Sequence, residues 1–182
     1  MKVISGIYKG RNLQGFNMPG TRPTMDRVKE SLFACIQNNL AESVVLDLFS
    51  GSGSLAIESL SQGAKEAYAV DKNKEAIKTI NENIKNIGVK NCKVYLSDYQ
   101  QILKKFKEEK LKFDLIFLDP PYETDYIEKS LKIIIELNLL SDDGLIVCES
   151  NSLDKIIYSP KLIPIKEKRY GDKCVVILKK VC

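Results

Sequence analysis

From residue 44 onward, short apolar runs alternate with segments whose apolar residues recur at helical spacing. The apolar runs, typical of buried strands, cover Val44–Phe49, Ala67–Val70, Lys93–Leu96, Phe113–Leu118, Leu145–Cys148 and Cys174–Lys179. The segments between them predict helices over Ser54–Ser61, Asn73–Ile87, Tyr99–Glu109 and Asp125–Leu137. This alternation predicts an α/β fold with a doubly wound, mostly parallel sheet.

The first 43 residues precede this pattern and predict two smaller features. Thr24–Leu40 has the spacing of an amphipathic helix, and Lys2–Ile7 and Arg11–Gln14 predict a small hairpin. With 182 residues and no linker-like segment, the chain is expected to form one domain. Residues 1–23 would be a basic extension, and residues 24–182 the core.

Histidine is absent from the chain, and this excludes several chemistries. Without histidine, neither a Ser-His-Asp nor a Cys-His nucleophile can be built. The five cysteines are scattered and form no CxxC pair, so we expect reduced thiols and no metal site. No apolar segment approaches the ~20 residues that span a bilayer, and the amino terminus lacks a signal-peptide pattern, so we expect a cytoplasmic protein.

Charge is distributed unevenly along the chain. The net charge is +4, but residues 1–30 and 161–182 are strongly basic and the middle is acidic. Basic ends around an acidic body suggest that an anionic macromolecule is bound by the termini. Solvated lysines that only keep the protein soluble are the alternative, above all at the carboxyl end.

Acidic residues recur where the predicted strands end. They are Asp47, Asp71, Asp98, Asp119 and Glu149. In an open α/β sheet, ligands bind outside the carboxyl ends of the strands. Any one of these acids could instead cap a helix, as Asp71 and Asp98 are well placed to do. Five at the same edge predict a binding site.

A glycine-containing loop, Asp47-Leu48-Phe49-Ser50-Gly51-Ser52-Gly53-Ser54, leads from the first strand into a helix. Such a loop, with Asp71 following the next strand, suits either NAD or S-adenosylmethionine. A carboxylate at Asp47 would repel a pyrophosphate, but it would attract a sulfonium or an ammonium group. The loop therefore favours S-adenosylmethionine.

The tetrapeptide Asp119-Pro120-Pro121-Tyr122 follows the apolar run Phe113–Leu118. The prolines end the strand and hold the segment extended. A carboxylate, a carbonyl and an aromatic ring are thus presented together, a set that could hold a planar amino group and stack its heterocycle. The alternative is an ordinary end of a strand with a tyrosine on the surface.

Taken together, these motifs resemble the class I S-adenosylmethionine methyltransferases that act on exocyclic amines of nucleobases. The chain is most similar to the RsmD family, which forms N2-methylguanine in bacterial 16S ribosomal RNA. The resemblance rests on the segments Ile4–Arg11, Arg22–Phe33, Leu46–Leu55, Glu58–Ala64, Asp119–Tyr122 and Arg169–Asp172 with Glu149. It implies a Rossmann-like fold with a seven-stranded sheet.

The resemblance also implies roles for individual residues. The catalytic set would be Asp119, Pro120, Pro121 and Tyr122. The cofactor-binding set would be Asp47, Phe49, Ser50, Gly51, Gly53, Asp71, Lys72, Asp98 and Tyr99, with Asp71 at the ribose and Asp98 at the adenine amino group. The RNA-binding set would be Lys9, Arg11, Arg22 and Arg27. The product of the cofactor would be S-adenosylhomocysteine.

As substrate, the resemblance implies a guanine of 16S RNA (guanine 966 in the family), within an assembling or assembled small subunit and bound by a monomer. The guanine N2 amine would attack the methyl group directly while Asp119 and the Pro120 carbonyl accept its N–H groups. Three alternatives stay open. They are an amino-methyltransferase acting on adenine N6 or cytosine N4, an NAD-dependent oxidoreductase, and a non-catalytic RNA-binding module.

Overall fold

The computed structural model describes residues 1–15 and 24–181. Within these ranges the helices are α1 (Thr24–Ile36), α2 (Ser54–Ser61), α3 (Lys74–Ile87), α4 (Tyr99–Glu108) and α5 (Tyr126–Glu136). The strands are β1 (Val44–Asp47), β2 (Glu66–Asp71), β3 (Cys92–Leu96), β4 (Phe113–Leu118), β5 (Leu140–Ser150), β6 (Leu162–Tyr170) and β7 (Lys173–Lys180). Short 3-10 helices lie at Gln37–Asn39 and Leu153–Lys155.

All seven strands form one sheet in the order β3-β2-β1-β4-β5-β7-β6. Strands β1 to β5 run parallel to one another, whereas β7 runs antiparallel to both β5 and β6. The strand order reverses between β1 and β4, which is the position where open α/β sheets bind ligands. The predicted doubly wound, mostly parallel sheet is confirmed.

Each face of the sheet is covered by a different set of helices. Alternate strand residues point to opposite faces, so Val45 and Phe117 pack under α1, α2 and α3. Leu46 and Leu118 pack on the other face, under α4 and α5. Both faces are buried, which explains why the central strands are continuous apolar runs. No helix in the described ranges is long and apolar enough to cross a membrane.

Two predicted elements need correction, and one strand was not predicted from the pattern. Strand β1 ends at Asp47 rather than Phe49, because the chain turns there into the glycine loop. The amphipathic pattern over Thr24–Leu40 forms α1 only to Ile36, followed by a 3-10 turn. Strand β6 carries Pro164 and mostly exposed side chains, so no apolar pattern marks it, and it forms by pairing with β7.

The predicted amino-terminal hairpin is reduced to one antiparallel bridge, between Lys2 and Asn12. The chain does turn back here, and the Val3 N–H bonds the Arg11 carbonyl at 3.0 Å. It forms no ladder because the N–H groups of Ile4 and Ser5 donate instead to the Glu58 carboxylate on α2. The segment therefore turns back on itself through a few backbone hydrogen bonds and also docks on α2.

Gly6 allows this docking to be close. Its φ is +83°, and a Cβ at this position would lie 1.7 Å from the Ser61 carbonyl oxygen. The next residue, Ile7, donates its N–H to that same carbonyl at 2.8 Å. Only glycine combines this backbone conformation with such a close approach.

Candidate active site

Four of the predicted acids lie on one face at the carboxyl edge of the sheet. Asp47 and Asp71 follow Val45 and Ala69 by two residues, and a period of two keeps side chains on the same face. Asp119 and Glu149 stand in the same relation to Phe117 and Val147, on the two strands next in order. This face is the one covered by α1, α2 and α3. The parallel order of the strands thus brings together acids that lie far apart in the sequence.

The glycine loop between β1 and α2 is held by Asp71 from the neighbouring strand. The Gly51 N–H donates to Asp71 Oδ2 at 2.9 Å, and the Asn73 N–H donates to Oδ1 at 2.9 Å. Gly53, with φ +80°, precedes the first turn of α2. The loop therefore presents backbone next to the first turn of a helix, an arrangement that suits a close-lying ligand.

Asp47 is fully buried at the start of this loop. The Ser50 hydroxyl donates to Oδ2 at 2.8 Å, while Oδ1 is buried without a hydrogen-bond partner among the described residues. Burial raises the pKa of Asp47 to about 7, although the bonds from Ser50 and the Ala56 N–H oppose that shift. A buried carboxylate oxygen without a partner is costly, and a cationic ligand group would satisfy it.

Asp98 lies at the same edge but acts first as a helix cap. Its Oδ1 accepts the Gln100 N–H at 2.8 Å at the start of α4, which is the alternative role noted from the sequence. Tyr99 is buried behind it, next to the half-buried Phe49 at a ring distance of 5.6 Å. The predicted residues Phe49, Asp98 and Tyr99 are thus brought together.

The sequence reasoning missed Tyr126, the first residue of α5, which joins this aromatic group. Its ring stacks on Phe49 at 5.8 Å and lies 5.0 Å from Tyr99. The predicted residue Lys72 places its Nζ 5.3 Å from the centre of the Tyr126 ring and 3.3 Å from its hydroxyl. The only signal in the sequence was a second tyrosine four residues after Tyr122.

The tetrapeptide Asp119–Tyr122 directly follows β4. Asp119 is partly exposed, Pro120 is buried and Pro121 is exposed. Burial of the carboxyl group, the charge of Glu149 and, more weakly, that of Asp47 hold the pKa of Asp119 well above its usual range, while Lys173 opposes them. The Thr124 hydroxyl donates to the Pro121 carbonyl at 2.7 Å and secures the turn that follows.

Tyr122 is connected to two residues from other strands. Its hydroxyl donates to Glu149 Oε1 at 3.1 Å, and the Lys173 ammonium contacts the same oxygen. Lys173 Nζ also lies 5.9 Å from the centre of the Tyr122 ring. Sequence reasoning listed Glu149 among the acids but missed Lys173, which comes directly after the motif Arg169–Asp172. These three side chains form what we call the Glu149 cluster.

Three of the predicted RNA-binding residues, Lys9, Arg11 and Arg27, lie on elements other than the strand ends that carry Asp47, Asp71, Asp119 and Glu149, which we call the acidic edge. Lys9 and Arg11 are exposed in the docked amino-terminal segment, and Arg27 is exposed near the start of α1. Arg22 lies outside the described residues. Lys9, Arg11 and Arg27 are therefore exposed to an anionic partner.

Comparison with known proteins gives a consistent result. A family model described as "Conserved hypothetical protein 95" matches residues 1–179. YlbH of Bacillus subtilis is 38% identical over 185 residues, covering 99% of each chain. "Ribosomal RNA small subunit methyltransferase D" of Haemophilus influenzae is 31% identical over 172 residues, covering 94% of this chain and 89% of its own. The solved structure of yhhF from Escherichia coli superposes with a TM-score of 0.87 at 26% identity, covering 99% and 97% of the two chains.

Proposed function

The chain belongs to the conserved hypothetical protein 95 family, the RsmD family of ribosomal RNA methyltransferases, and on that premise we propose that it methylates the exocyclic N2 amine of a guanine in 16S ribosomal RNA. Methylation of ribosomal RNA is the activity of the family. The base, its amine and the position of guanine 966 are our proposal. The observation that carries it is the tetrapeptide Asp119–Tyr122 beside the acidic edge that holds the glycine loop.

The cofactor of this methyltransferase is S-adenosylmethionine, and the residues present fit it. The unpartnered, buried Oδ1 of Asp47 suits the ammonium of the methionine part, which Phe49, Ser50, Gly51 and Gly53 would seat with their backbone. When bound, the cofactor supplies a methyl group activated by a sulfonium. Asp71 and Lys72 would contact the ribose, and Asp98 and Tyr99 the adenine.

At the tetrapeptide, we propose that Asp119 and the Pro120 carbonyl accept the two N–H bonds of the guanine amine. The lone pair of this amine is delocalised into the ring, and two acceptors favour the more pyramidal nitrogen that attacks. The cofactor held at Asp47 and the glycine loop would supply its methyl group to this nitrogen and be left as S-adenosylhomocysteine, while Asp119 and the Pro120 carbonyl would hold the amine until its proton passes to water. No strong base is required, in keeping with a chain that lacks histidine.

Tyr122 would stack on the target base once the base has left its helix, with Pro121 keeping the segment extended. The exposed cations Lys9, Arg11 and Arg27, together with Arg22, would contact RNA phosphates. Folded RNA within the small subunit, bound by one copy of the chain, would supply the specificity.

Nucleoside analysis of 16S RNA from cells that lack this protein tests the proposal. We expect one N2-methylguanine to disappear and to return on complementation with the wild-type chain. Asp119→Asn should fail to restore it, whereas Asp143→Asn, at an exposed acid on β5, should restore it fully. Loss of N6-methyladenine or N4-methylcytosine instead would support the alternative amino-methyltransferase and overturn the assignment to guanine.

A further inference from the structure

The Glu149 cluster connects three strand ends through one carboxylate oxygen. Tyr122 follows β4, Glu149 lies near the end of β5, and Lys173 begins β7. Both the tyrosine hydroxyl and the lysine ammonium contact Oε1 of Glu149, which is only 9% exposed. Each partner loses hydration when it contacts this mostly buried carboxylate, so the contacts are favourable only when the three side chains are correctly oriented.

We infer that Glu149 and Lys173 are positioning residues for methyl transfer, with Glu149 fixing the ring of Tyr122 and Lys173 keeping Asp119 in its acceptor form. This inference rests on the proposed function. Neither residue is assigned a contact with the cofactor. Both would act through the residues of the tetrapeptide.

The Glu149 cluster fixes the orientation of Tyr122. An aromatic ring that stacks on a base must be held in one orientation, and the bond from its hydroxyl to Glu149 restrains rotation about the side chain. Lys173 lies close enough to the ring for a cation–π contact and strengthens the same arrangement. The ring is thus anchored at its far end, away from the backbone of the tetrapeptide.

The β6–β7 turn, which places Lys173 beside Glu149, is held by contacts between β6 and α1. Tyr170, the last residue of β6, shares a 2.7 Å hydrogen bond between its hydroxyl and that of Ser31 on α1. Ser31 also accepts a bond from Lys168 at 3.1 Å. The position of Lys173 is therefore set by α1 and by the sheet together, which is what a positioning residue requires.

The charge on Asp119 depends on the groups around it. The neighbouring charged groups are Asp47 from β1, Glu149 from β5 and Lys173 from β7, with the Tyr122 hydroxyl nearby. Helix α1, which covers this face, carries Asp26, Arg27, Lys29 and Glu30 in its first two turns. Arg27 and Glu30 are exposed, and Lys29 is bonded to Glu58.

Leu118 of β4 pairs with Cys148 of β5, so Asp119 and Glu149 come next to each other along the two neighbouring strands, and Lys173, which contacts Glu149, is the cation that offsets these acids. The charge of Glu149 raises the pKa of Asp119, whereas the ammonium of Lys173 lowers it. Burial lowers the pKa of Lys173 itself, but the charge and hydrogen bond of Glu149 outweigh this and raise it overall, so the lysine remains a cation. A protonated Asp119 would lose acceptor capacity toward the substrate amine.

The test is the pH profile of kcat/KM for methyl transfer to small-subunit RNA. The cofactor is kept saturating so that the titration of Asp47 does not enter. Lys173→Met should move the acid limb to higher pH by about one unit, which is about a tenfold loss below the limb. Glu149→Gln should move the same limb to lower pH, because a neighbouring negative charge is removed.

Two variants are matched controls. Lys173→Arg keeps the cation and should keep the wild-type limb. Lys179→Met removes a lysine from the same strand, about 20 Å away along the chain and beyond the Debye length, and should leave the limb in place.

Tyr122→Phe removes the hydroxyl anchor, so KM for RNA should rise about threefold to tenfold while the limb stays unchanged.

Each variant is first tested for binding of S-adenosylhomocysteine, which requires the folded loop. If Lys173→Met does not fold, the opposite shift in Glu149→Gln decides the question. Equal loss of activity at every pH in both variants would show a structural role only and would overturn the inference. A wild-type enzyme that methylates no guanine in this RNA would instead overturn the proposed function, so the two failures are distinguishable.

Discussion

Two clusters of buried charge lie on the same face of the sheet, and they are built in opposite ways. At α2, Glu58 is fully buried and its carboxylate accepts bonds from Ile4, Ser5 and Gln62. Lys29 adds an ion pair at 3.1 Å and donates to the Lys2 carbonyl at 2.7 Å and the Ser54 hydroxyl at 3.0 Å. The three donors of the ammonium thus have three acceptors.

The acidic edge contains Asp47, Asp119 and Glu149, with Lys173 as the nearby cation. Here Asp47 Oδ1 has no partner among the described residues, and burial raises the pKa of both aspartates. Negative charge is therefore in excess where a cationic methyl donor and a substrate amine would bind. The satisfied cluster therefore stabilises the fold, whereas the unsatisfied one supports our proposal that ligands bind at this edge.

Breaking the satisfied cluster should have the largest effect. Lys29→Met leaves Glu58 charged and buried, so we expect the free energy of unfolding to fall by about 3–5 kcal/mol. Denaturation in urea, followed by far-ultraviolet circular dichroism, measures this loss. The double variant Lys29→Met, Glu58→Gln should recover part of it, because no uncompensated charge remains. A loss below about 1 kcal/mol would place the pair among ordinary surface ion pairs.

The two clusters also differ in how well they could be predicted from the sequence. The acids at strand ends were predictable, since parallel strands must bring their carboxyl ends to one edge. The pair of Lys29 and Glu58 was not, because it depends on how α1 and the amino-terminal segment dock against α2. No local pattern indicates which lysine will be buried.

The elements of the fold differ in the same way in how well the sequence predicts them. Helix and strand periodicity located β4 and α2 at the residues where the structure has them. Strand β6 was missed because its side chains are mostly exposed and its strand conformation comes from pairing with β7. Lys173 was missed for a related reason, since only the β6–β7 turn brings it to Glu149. Contacts made by an antiparallel addition to the sheet cannot be inferred from spacing in the chain.

In the acidic edge, Asp119→Asn should reduce kcat about 10²–10³-fold, because the amide adds a donor where an acceptor is required. The rate of tritium transfer from labelled S-adenosylmethionine to RNA measures the loss at pH 8. Unlike Lys29→Met, this change should leave the free energy of unfolding unchanged or raised, since burial of the carboxyl group and the charge of Glu149 disfavour a charged Asp119. Activity near wild type would remove Asp119 from the mechanism.

Because burial raises the pKa of Asp47 to about 7, ligand binding at the acidic edge should depend on pH. Its pKa of about 7 in the unliganded protein should fall when a cation binds beside it, so ligand binding releases a proton below pH 7. Affinity for S-adenosylmethionine should therefore rise about tenfold between pH 6 and pH 8. Calorimetric titration at both values checks this, and Asp47→Asn should bind more weakly with little dependence on pH. A wild-type affinity that is the same at both values would contradict the role of Asp47.

Asp98 shares features of the acids that stabilise the fold and of those proposed to bind ligands, because one of its oxygens caps α4. Asp98→Ala should lower the free energy of unfolding by about 1 kcal/mol, whereas Asp98→Asn keeps a capping oxygen and should be nearly as stable as wild type. If Asp98 also accepts from the adenine amino group, Asp98→Asn should weaken S-adenosylhomocysteine binding about threefold to tenfold. Binding as tight as that of the wild type would show that Asp98, like Glu58, contributes to the stability of the fold and not to ligand binding.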